Sequence, residues 1–402
     1  MFWSEWDEQR PPSRAFMRSA QLLVVVVALL VTASSAFAAG YVVARSSAQN
    51  NLSLAEEVWQ LTERHFYYEK PSRQDRLYGA ISGLLATFQD PHTIFLPPAP
   101  AERERAVMSG QQGGVGIIVT QTEDKRFVVT EVRRGWAYER AGGRAGDEII
   151  AVDGESVAEW TFNQLIERVR GRLGTQVRLT VRRAGEPEPL TLTATRQQIN
   201  VYSTMLDDQI AYLSFTQFTS TAPGEIKAQL EALLAQQPRA LVLDLRDNGG
   251  GFLDEAIQIA DFFLEAGVIA TEKSVGGRVK RFEARSGDLA ESVPLVVLVN
   301  RQSASASEIV AGALQDRGRA VLIGQRTFGK GSVQRLFTLS DGSQLRVTQG
   351  AWYTPNETPI ERRSDGQGGL QPDVPVELPS DGSRPQGDPT LEAALEYIRA
   401  RF

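Results

Sequence analysis

The segment ALVLDLRDNGGG, residues 240–251, joins an unbroken apolar run to a polar, glycine-rich loop. Similar apolar runs occur at residues 294–300 (PLVVLVN) and 320–324 (AVLIG), and helical patterns separate the runs. Continuous apolar strands that alternate with helices are typical of a largely parallel sheet covered on both faces. We therefore predict an α/β core whose ligands bind where the strands reach their carboxyl ends.

Two loops that follow these runs carry candidate chemistry. Residues 300–314 read NRQSASASEIVAGAL and place small serines at a strand-to-helix junction, where a serine acts either as an N-cap or as a nucleophile. The three glycines at residues 249–251 can bring backbone amides close to a substrate. Lys330 follows the next strand, so the two loops and this lysine can converge on one site.

The segment GQRTFGKGSVQ, residues 324–334, comes within one residue of a phosphate-binding loop. The match fails because Gly331 stands where a hydroxyl must reach Mg²⁺. The residues that follow predict two strands joined by a turn at Asp341 and Gly342, whereas a phosphate loop must open a helix. Lys330 therefore needs a role other than nucleotide binding.

The composition excludes several classes of function. The 402 residues suffice for two or three domains, and the net charge of −6 without a long basic run gives no footprint for nucleic acid. The absence of cysteine rules out disulfides, zinc-thiolate sites and a cysteine nucleophile. His65 and His92 are the only histidines, and they offer few candidates for a metal site or a Ser-His-Asp triad. We predict no metal and no cofactor.

The N-terminal region predicts an association with the membrane. A charge-free run at residues 19–44 follows three arginines and exceeds the roughly 20 residues that span a bilayer. Basic residues before the span predict a cytoplasmic tail at 1–18, with the rest of the chain outside the cytoplasm, on a single-pass protein of the cell membrane. The alternative is a signal peptide cleaved after AFA (36–38), which would give a secreted protein.

The rest of the chain divides by pattern into four segments. We predict an N-terminal helical segment at 52–105, a β-rich module at 110–198, the α/β core at 199–378, and a C-terminal linker and helix at 379–402.

The β-rich module resembles a bacterial PDZ domain. The resemblance rests on Gly114, Val115, Gly116 and Ile117 and on the motif AGGRAGDEIIAVDG at residues 141–154. It implies a loop whose amides bind the terminal carboxylate of a peptide that adds a strand to the sheet. An aliphatic pocket is expected beside this loop, with contributions from Ile117 and from the helix that contains Leu165 and Val169.

With these motifs the chain resembles the C-terminal processing peptidases, or tail-specific proteases, which are Ser-Lys serine endopeptidases with an inserted PDZ domain. The resemblance also includes YGAISGLLATFQDPHT at residues 78–93. It implies that Ser305, the middle serine of SASAS, is the nucleophile, that Lys330 is the base, and that Gln334 orients the lysine. Many members carry proline or serine where this chain has Gly249.

The chemistry expected of these residues follows from their types. A lysine acts as a base only when neutral, which requires roughly 4 kcal/mol of bias against its ammonium form, and desolvation can supply that bias. In an extended segment Lys330 and Gln334 share a face, so the glutamine carbonyl can accept a hydrogen bond from the amine. The Ala306 N–H is one candidate oxyanion donor, and Gly250 or Gly251 supplies the other.

The sequence thus predicts a membrane-associated serine endopeptidase that cuts extracytoplasmic proteins at or near their C-termini. Its partners are protein or peptide substrates with free C-termini, and the sequence gives no oligomeric state. One alternative is an inactive, membrane-tethered PDZ binding or adaptor protein, against which the joint presence of Ser305, Lys330 and Gln334 argues. A second is an acyl-transfer enzyme on a related core, for which a PDZ domain would have no evident use.

Overall fold

The computed structural model describes residues 29–36, 53–133, 136–198, 200–287, 289–361, 368–377 and 387–402. The predicted tail at 1–18, most of the predicted span at 19–44 and part of the C-terminal linker lie outside these residues. Residues 29–36 form helix α1. None of the helices in the described ranges combines the length and the apolar character needed to cross a membrane. The chain divides into two units, residues 1–77 and 78–402.

The first unit contains helix α2 (Ser53–His65) and the start of helix α3 (Arg73–Ala86). Pro71 lies between the two helices, where no helical hydrogen bond is needed from its nitrogen. Helix α2 buries none of its side chains, and its apolar residues Leu54, Val58 and Leu61 are exposed.

The PDZ-like module of the second unit is built around its own core. Its elements are β2 (Gln112–Gly114), β3 (Ile117–Gln121), β4 (Phe127–Val132), α5 (Ala137–Arg140), β5 (Glu148–Val152), β6 (Glu155–Ser156), α6 (Phe162–Val169), β7 (Gly171–Arg172), β8 (Gln176–Arg182), β9 (Leu190–Thr195) and β10 (Gln197–Gln198). Strands β3, β4, β5, β8 and β9 form one antiparallel sheet, with β6 beside β5. Strand β2 pairs with β10, so the entry and exit of the module lie side by side.

The α/β core is a largely parallel sheet, as predicted. Its strands are β11 (Val201–Met205), β12 (Ile210–Phe215), β13 (Ala240–Asp244), β16 (Leu295–Val299), β17 (Val321–Gly324) and β20 (Val374–Pro375), in that spatial order. Strands β12, β13, β16, β17 and β20 are parallel to one another, and β11 runs antiparallel at one edge. Every residue of β13 and β16 is buried, which explains their unbroken apolar sequences.

Helices cover both faces of this sheet. They are α7 (Ala222–Leu234), α8 (Leu253–Asp261), α9 (Ala306–Asp316) and α10 (Pro389–Arg401). Leu241 and Leu243 point toward the face that packs on α7, α8 and α9, while Val242 points toward α10. The alternation along β13 therefore fills two separate hydrophobic layers.

A second, antiparallel sheet lies against the core, and the sequence did not predict it as a unit. It contains β1 (Ile94–Leu96), β14 (Gly267–Ser274), β15 (Arg278–Ala284), β18 (Ser332–Thr338) and β19 (Gln344–Tyr353), and α4 (Pro98–Met108) follows β1. Strands β18 and β19 form the hairpin predicted from the turn at Asp341 and Gly342. Strand β18 pairs with β19 alone among the described residues, so its other edge is open.

Candidate active site

Three loops meet at the carboxyl edge of the parallel sheet. They follow β13, β16 and β17, and they lead to Gly250, Ser305 and Lys330 respectively. Adjacent parallel strands end at the same edge, so the sheet order brings these loops together although they are far apart in sequence. The loops open into a cavity of about 1070 Å³ that Ser305, Lys330 and Gln334 all line.

Ser305 stands directly before helix α9 in a strained backbone conformation. Its φ is 56° and its ψ is −115°, a combination that a residue with a side chain seldom adopts. The residue is half-buried and faces the cavity. A sharp turn at a helix start projects the side chain and leaves the first helical amides free, which suits a nucleophile better than a residue inside a helix.

The glycine loop packs directly against this turn. A Cβ on Gly250 would lie 2.9 Å from the nitrogen of Ala306, and the φ of Gly250 is 98°. The Gly250 amide donates to Oδ1 of Asn248 at 3.0 Å. Within the described residues neither the Ala306 amide nor the Gly251 amide has a hydrogen-bond acceptor. The amide that follows Ser305 and one amide of the glycine loop are therefore unengaged.

Asn248 holds the glycine loop against the serine turn through hydrogen bonds. Its side chain is buried and donates to the carbonyl of Phe215 at 2.9 Å. The backbone carbonyl of Asn248 accepts hydrogen bonds from the Ala304 amide at 3.0 Å and from the Ser307 hydroxyl at 2.7 Å. The asparagine thereby fixes both sides of the candidate nucleophile.

Lys330 is half-buried beside the cavity. Burial lowers the pKa of its amine, while the negative charges of Glu361 and Glu308 act in the opposite direction. Within the described part of the chain, no hydrogen bond joins the Lys330 amine to the Ser305 hydroxyl or to Gln334. The structure thus places Ser305, Lys330 and Gln334 around one cavity, and burial of Lys330 favours its neutral amine.

Gln334 makes contacts that differ from those expected. Its side-chain amide donates to the Ser332 hydroxyl at 2.8 Å and to Oγ1 of Thr348 at 3.5 Å. A register shift between Val333 and Gln334 interrupts the extended pairing with β19, so simple alternation from Lys330 does not hold through this segment. The side-chain carbonyl of Gln334 takes no part in these bonds.

Glu308 is a site residue that sequence reasoning missed. Its side chain is fully buried, and Oε2 accepts the amides of Ser305 at 2.8 Å and Lys330 at 2.9 Å. Oε1 accepts the Thr327 hydroxyl at 2.6 Å and the Gly329 amide at 2.7 Å. The spacing of Ser305 and Glu308 matches a capping box, which is the local signal that could have drawn attention to it.

Ionisable side chains line the rest of the cavity. They are Glu104, Asp254, Glu255, Glu272, Arg278, Lys280, Arg335 and Arg346. Burial raises the pKa of Glu255. Among the described residues no group of three histidine, cysteine or acidic side chains is placed to hold a metal ion.

The predicted peptide-binding loop of the PDZ-like module lies at the open edge of its sheet. Gly114 ends β2, Val115 is buried, Gly116 has a φ of 81°, and Ile117 starts the edge strand β3. A Cβ on Gly116 would come within 2.4 Å of the Trp136 side chain, so only glycine fits there.

The pocket expected beside this loop stays a prediction. Helix α6, which is expected to contribute to it, has Leu165 and Val169 buried in the core of the module, because helical periodicity turns both to the same inner face. Ile118 and Phe162 are the exposed apolar side chains on β3 and α6.

Comparisons with known proteins agree with this architecture. The PDZ-domain model matches residues 105–182, and the model of peptidase family S41 matches residues 209–376, which include Ser305, Lys330 and Gln334. The carboxy-terminal-processing protease of Bartonella bacilliformis is 38% identical over 320 residues, which cover 78% of this chain and 72% of that protein. The carboxyl-terminal-processing protease of Synechocystis sp. is 36% identical over 330 residues, covering 80% and 75% of the two chains.

A solved structure shares the fold at lower identity. The putative S41 protease from Bacteroides fragilis aligns over 84% of this chain and 92% of its own, with a TM-score of 0.54 and 18% identity. Taken together, the sheet, the serine turn and the inserted module define a serine peptidase that carries a PDZ domain. The chain belongs to peptidase family S41, and it is a C-terminal-processing serine protease.

Proposed function

We propose that Ser305 and Lys330 form a catalytic dyad, and that the enzyme cuts extracytoplasmic proteins at or near their C-termini. The observation that supports this proposal is the cavity that both residues line. Ser305, with its strained backbone, and the half-buried Lys330 lie on two loops whose amides both donate to the buried carboxylate of Glu308.

The chemistry starts with the neutral amine of Lys330. The amine takes the proton of the Ser305 hydroxyl while Oγ attacks the carbonyl carbon of the scissile peptide bond. The resulting ammonium gives its proton to the leaving amine, and an ester remains on Ser305. A water molecule that loses a proton to Lys330 then attacks this ester, and the proton returns to Ser305 as the acid product leaves.

The oxyanion of the tetrahedral intermediate needs two donors. We assign the Ala306 amide as one of them, because it lies at the first position of α9 and has no acceptor among the described residues. The Gly251 amide suits the second role better than the Gly250 amide, because the Gly250 amide already donates a hydrogen bond to Asn248.

Gln334 is proposed to orient Lys330. Its amide group is anchored on Ser332 and Thr348, which leaves its carbonyl oxygen able to accept from the lysine. Such a contact directs the amine without adding a negative charge that would raise the pKa of Lys330.

The PDZ domain is proposed to bind the C-terminal end of the substrate. Support comes from the open edge of β3 and from the glycine turn before it, since a peptide can pair with this edge while its carboxylate meets backbone amides. The apolar surface for the terminal side chain then includes Ile117, which is partly buried and packs against the core of the module.

Membrane attachment through residues 19–44 is also a proposal, and it rests on the length and charge pattern of that segment. Extraction of native membranes with alkaline carbonate, followed by N-terminal sequencing of the protein, tests it. An intact N-terminus in the membrane pellet supports the anchor, whereas a new N-terminus just after residue 38 in the soluble fraction supports the cleaved signal peptide.

The dyad is tested with the purified enzyme and a fluorophosphonate, which phosphonylates activated serines. Mass spectrometry should find the adduct on Ser305, and the adduct should be absent from Lys330→Ala protein that retains its fold. C-terminal proteomics of cells with wild-type enzyme or with Ser305→Ala should show extracytoplasmic proteins whose C-termini are shortened only by the wild type. Labelling at another serine would overturn the assignment.

A further inference from the structure

The contacts of Glu308 join the loop of the nucleophile to the loop of the base. Ser305 and Lys330 are separated by 25 residues, yet their amides donate to the same carboxylate oxygen, Oε2 of Glu308, at 2.8 and 2.9 Å. Oε1 is held on the other side by Thr327 and Gly329. The side chain is fully buried, so water cannot replace these partners.

The pattern of donors favours an ionised carboxylate. Three of the four donors are backbone N–H groups, which cannot accept a proton, and the fourth is the Thr327 hydroxyl. That hydroxyl accepts the Leu370 amide at 2.7 Å, so its own proton is free to point at Glu308. Burial raises the pKa of Glu308, and the four donors oppose that effect. Four charge-assisted hydrogen bonds are strong and directional.

We propose that Glu308 is a positioning residue for the peptidase reaction, whose buried carboxylate sets the distance between Ser305 and Lys330 by accepting both of their backbone amides. This inference rests on the proposed dyad. It assigns Glu308 no contact with the substrate and no proton transfer.

The local backbone shows why such a residue is needed. The positive φ of Ser305 is unfavourable and persists only where neighbours hold it, and the Glu308 bond fixes the Ser305 amide. On the other loop the Phe328 amide donates to the Ser303 carbonyl at 3.0 Å, but this contact lies two residues before the base. The backbone of Lys330 itself is fixed by Glu308.

Substitution by glutamine separates this role from a general effect of charge. In Glu308→Gln one oxygen becomes an NH₂ group, which must face either the amides of Ser305 and Lys330 or the amide of Gly329. Two hydrogen-bond donors, the new NH₂ group and a backbone amide, then face each other in a buried site. Glu361 is the matched control, because its negative charge also acts on Lys330 but no hydrogen bond in the described residues ties it to Ser305.

The experiment compares full-length wild type, Glu308→Gln and Glu361→Gln. It measures kcat and KM for a peptide substrate and the rate of fluorophosphonate labelling from pH 5 to pH 10. Glu308→Gln should lower kcat and the labelling rate about 100-fold at every pH while KM stays nearly constant, since misplacement by about 1 Å costs this much. Glu361→Gln should keep its plateau rate within about 3-fold, and its acid limb should move to lower pH because a charge that favours the ammonium is gone.

The other ionisable side chains around the cavity are the same in both variants. They are Glu104, Asp254, Glu255, Glu272, Arg278, Lys280, Arg335 and Arg346. If folded Glu308→Gln only displaces the acid limb, as Glu361→Gln does, Glu308 acts through its charge and the positioning role is refuted. Unchanged kinetics would refute it as well.

If Glu308→Gln does not fold, a second pair of variants tests the positioning role of Glu308. Thr327→Val removes one donor to the carboxylate and leaves the three amides, so kcat should fall about 3- to 10-fold with KM unchanged. Val310→Ala removes buried apolar volume from the same helix without touching the site, and it should lower the melting temperature but not kcat. Equal kcat values for these two variants would overturn the proposal.

Comparison of wild type with Ser305→Ala distinguishes a failure of the proposed dyad from a failure of the role proposed for Glu308. If Ser305→Ala retains wild-type activity, the dyad itself is wrong. If Ser305→Ala is inactive while Glu308→Gln is fully active, only the role of Glu308 fails.

Discussion

A Cβ placed on Gly250 would lie 2.8 Å from the Cβ of Ser305. The same atom would also lie 2.7 Å from the carbonyl oxygen of Ala304. Both distances are well inside van der Waals contact, and all the atoms involved belong to backbone or to a short, fixed side chain. The glycine loop and the nucleophile turn therefore meet where no side chain fits.

We predict that Gly250→Ala lowers kcat about 100-fold, because the added methyl group must displace Ser305 from its position. Gly249→Ala is the matched control, since a Cβ there meets nothing within 4 Å. It should change kcat less than about 2-fold, because the added methyl group displaces nothing. Steady-state kinetics on both proteins checks the pair, and equal losses would contradict the packing argument.

The pH profile should report Lys330. The amine acts as a base only when neutral, so kcat/KM rises as the pH increases through the lysine pKa. Burial lowers this pKa, so the acid limb should lie below the ordinary lysine range. Lys330→Arg should be inactive over the whole range, because a guanidinium keeps its proton. A limb at the ordinary lysine pKa would show that the amine is not desolvated.

Ser305→Ala and Lys330→Ala should each remove nearly all activity, and the double variant should be no worse than either alone. Both changes disable one step, the activation of the hydroxyl, so their free-energy costs do not add. A double-mutant cycle on kcat/KM measures this coupling. A Lys330→Ala enzyme with more than about a tenth of wild-type activity would contradict the assignment of the base.

Gln334→Ala should reduce kcat less than Lys330→Ala does. The substitution removes a group that orients the amine but leaves the base in place, so a loss of about 3- to 10-fold is expected for one hydrogen bond. Parallel kinetics on the two variants gives the ranking. Equal losses in folded proteins would mean that the glutamine does more than orient.

A substrate with a free, apolar C-terminus should be preferred over its C-terminal amide. The carboxylate makes charge-assisted hydrogen bonds that the amide cannot make in full, and these correspond to about 10- to 150-fold in affinity. Cleavage rates for the acid and the amide, with intact enzyme and with a variant lacking residues 110–198, test this. Equal cleavage of both by the intact enzyme would exclude selection through the PDZ domain.

Arg246 should be essential for stability. Its guanidinium binds Asp244 and Asp388 at 2.6 Å each and so ties strand β13 to the start of α10. Arg246→Met leaves the buried Asp244 without its cation and should lower the free energy of unfolding by about 3–5 kcal/mol. Arg399→Met breaks only the exposed pair with Asp208 and should cost less than about 1 kcal/mol. Urea unfolding measures both.

The features that the sequence predicted depend on local patterns. Residues 240–244 and 295–299 are apolar at every position because both faces of their strands are buried, and this directly encodes a central parallel sheet. The turn at Asp341 and Gly342 encodes the hairpin of β18 and β19 in the same local way. Family resemblance supplied Ser305, Lys330 and Gln334, and the structure gathers all three in one cavity.

Other features come only from long-range pairing. Strand β1 meets β19 about 250 residues later in the chain, so no local pattern could predict the second sheet. The burial of Leu165 and Val169 likewise depends on packing within the PDZ domain, where they join residues of several strands in one core.

Sequence alone determined the strand type and the hairpin, because spacing and turn chemistry act between near neighbours, and resemblance to a family indicated the candidate reactive side chains. Tertiary structure decided how those side chains are arranged. The Ser-x-x-Glu spacing from Ser305 indicates a helix cap, yet only the folded chain brings the Lys330 amide to the Glu308 carboxylate. A buried charge takes its partners from whichever segments the sheet order places around it, and that order is a property of the whole fold.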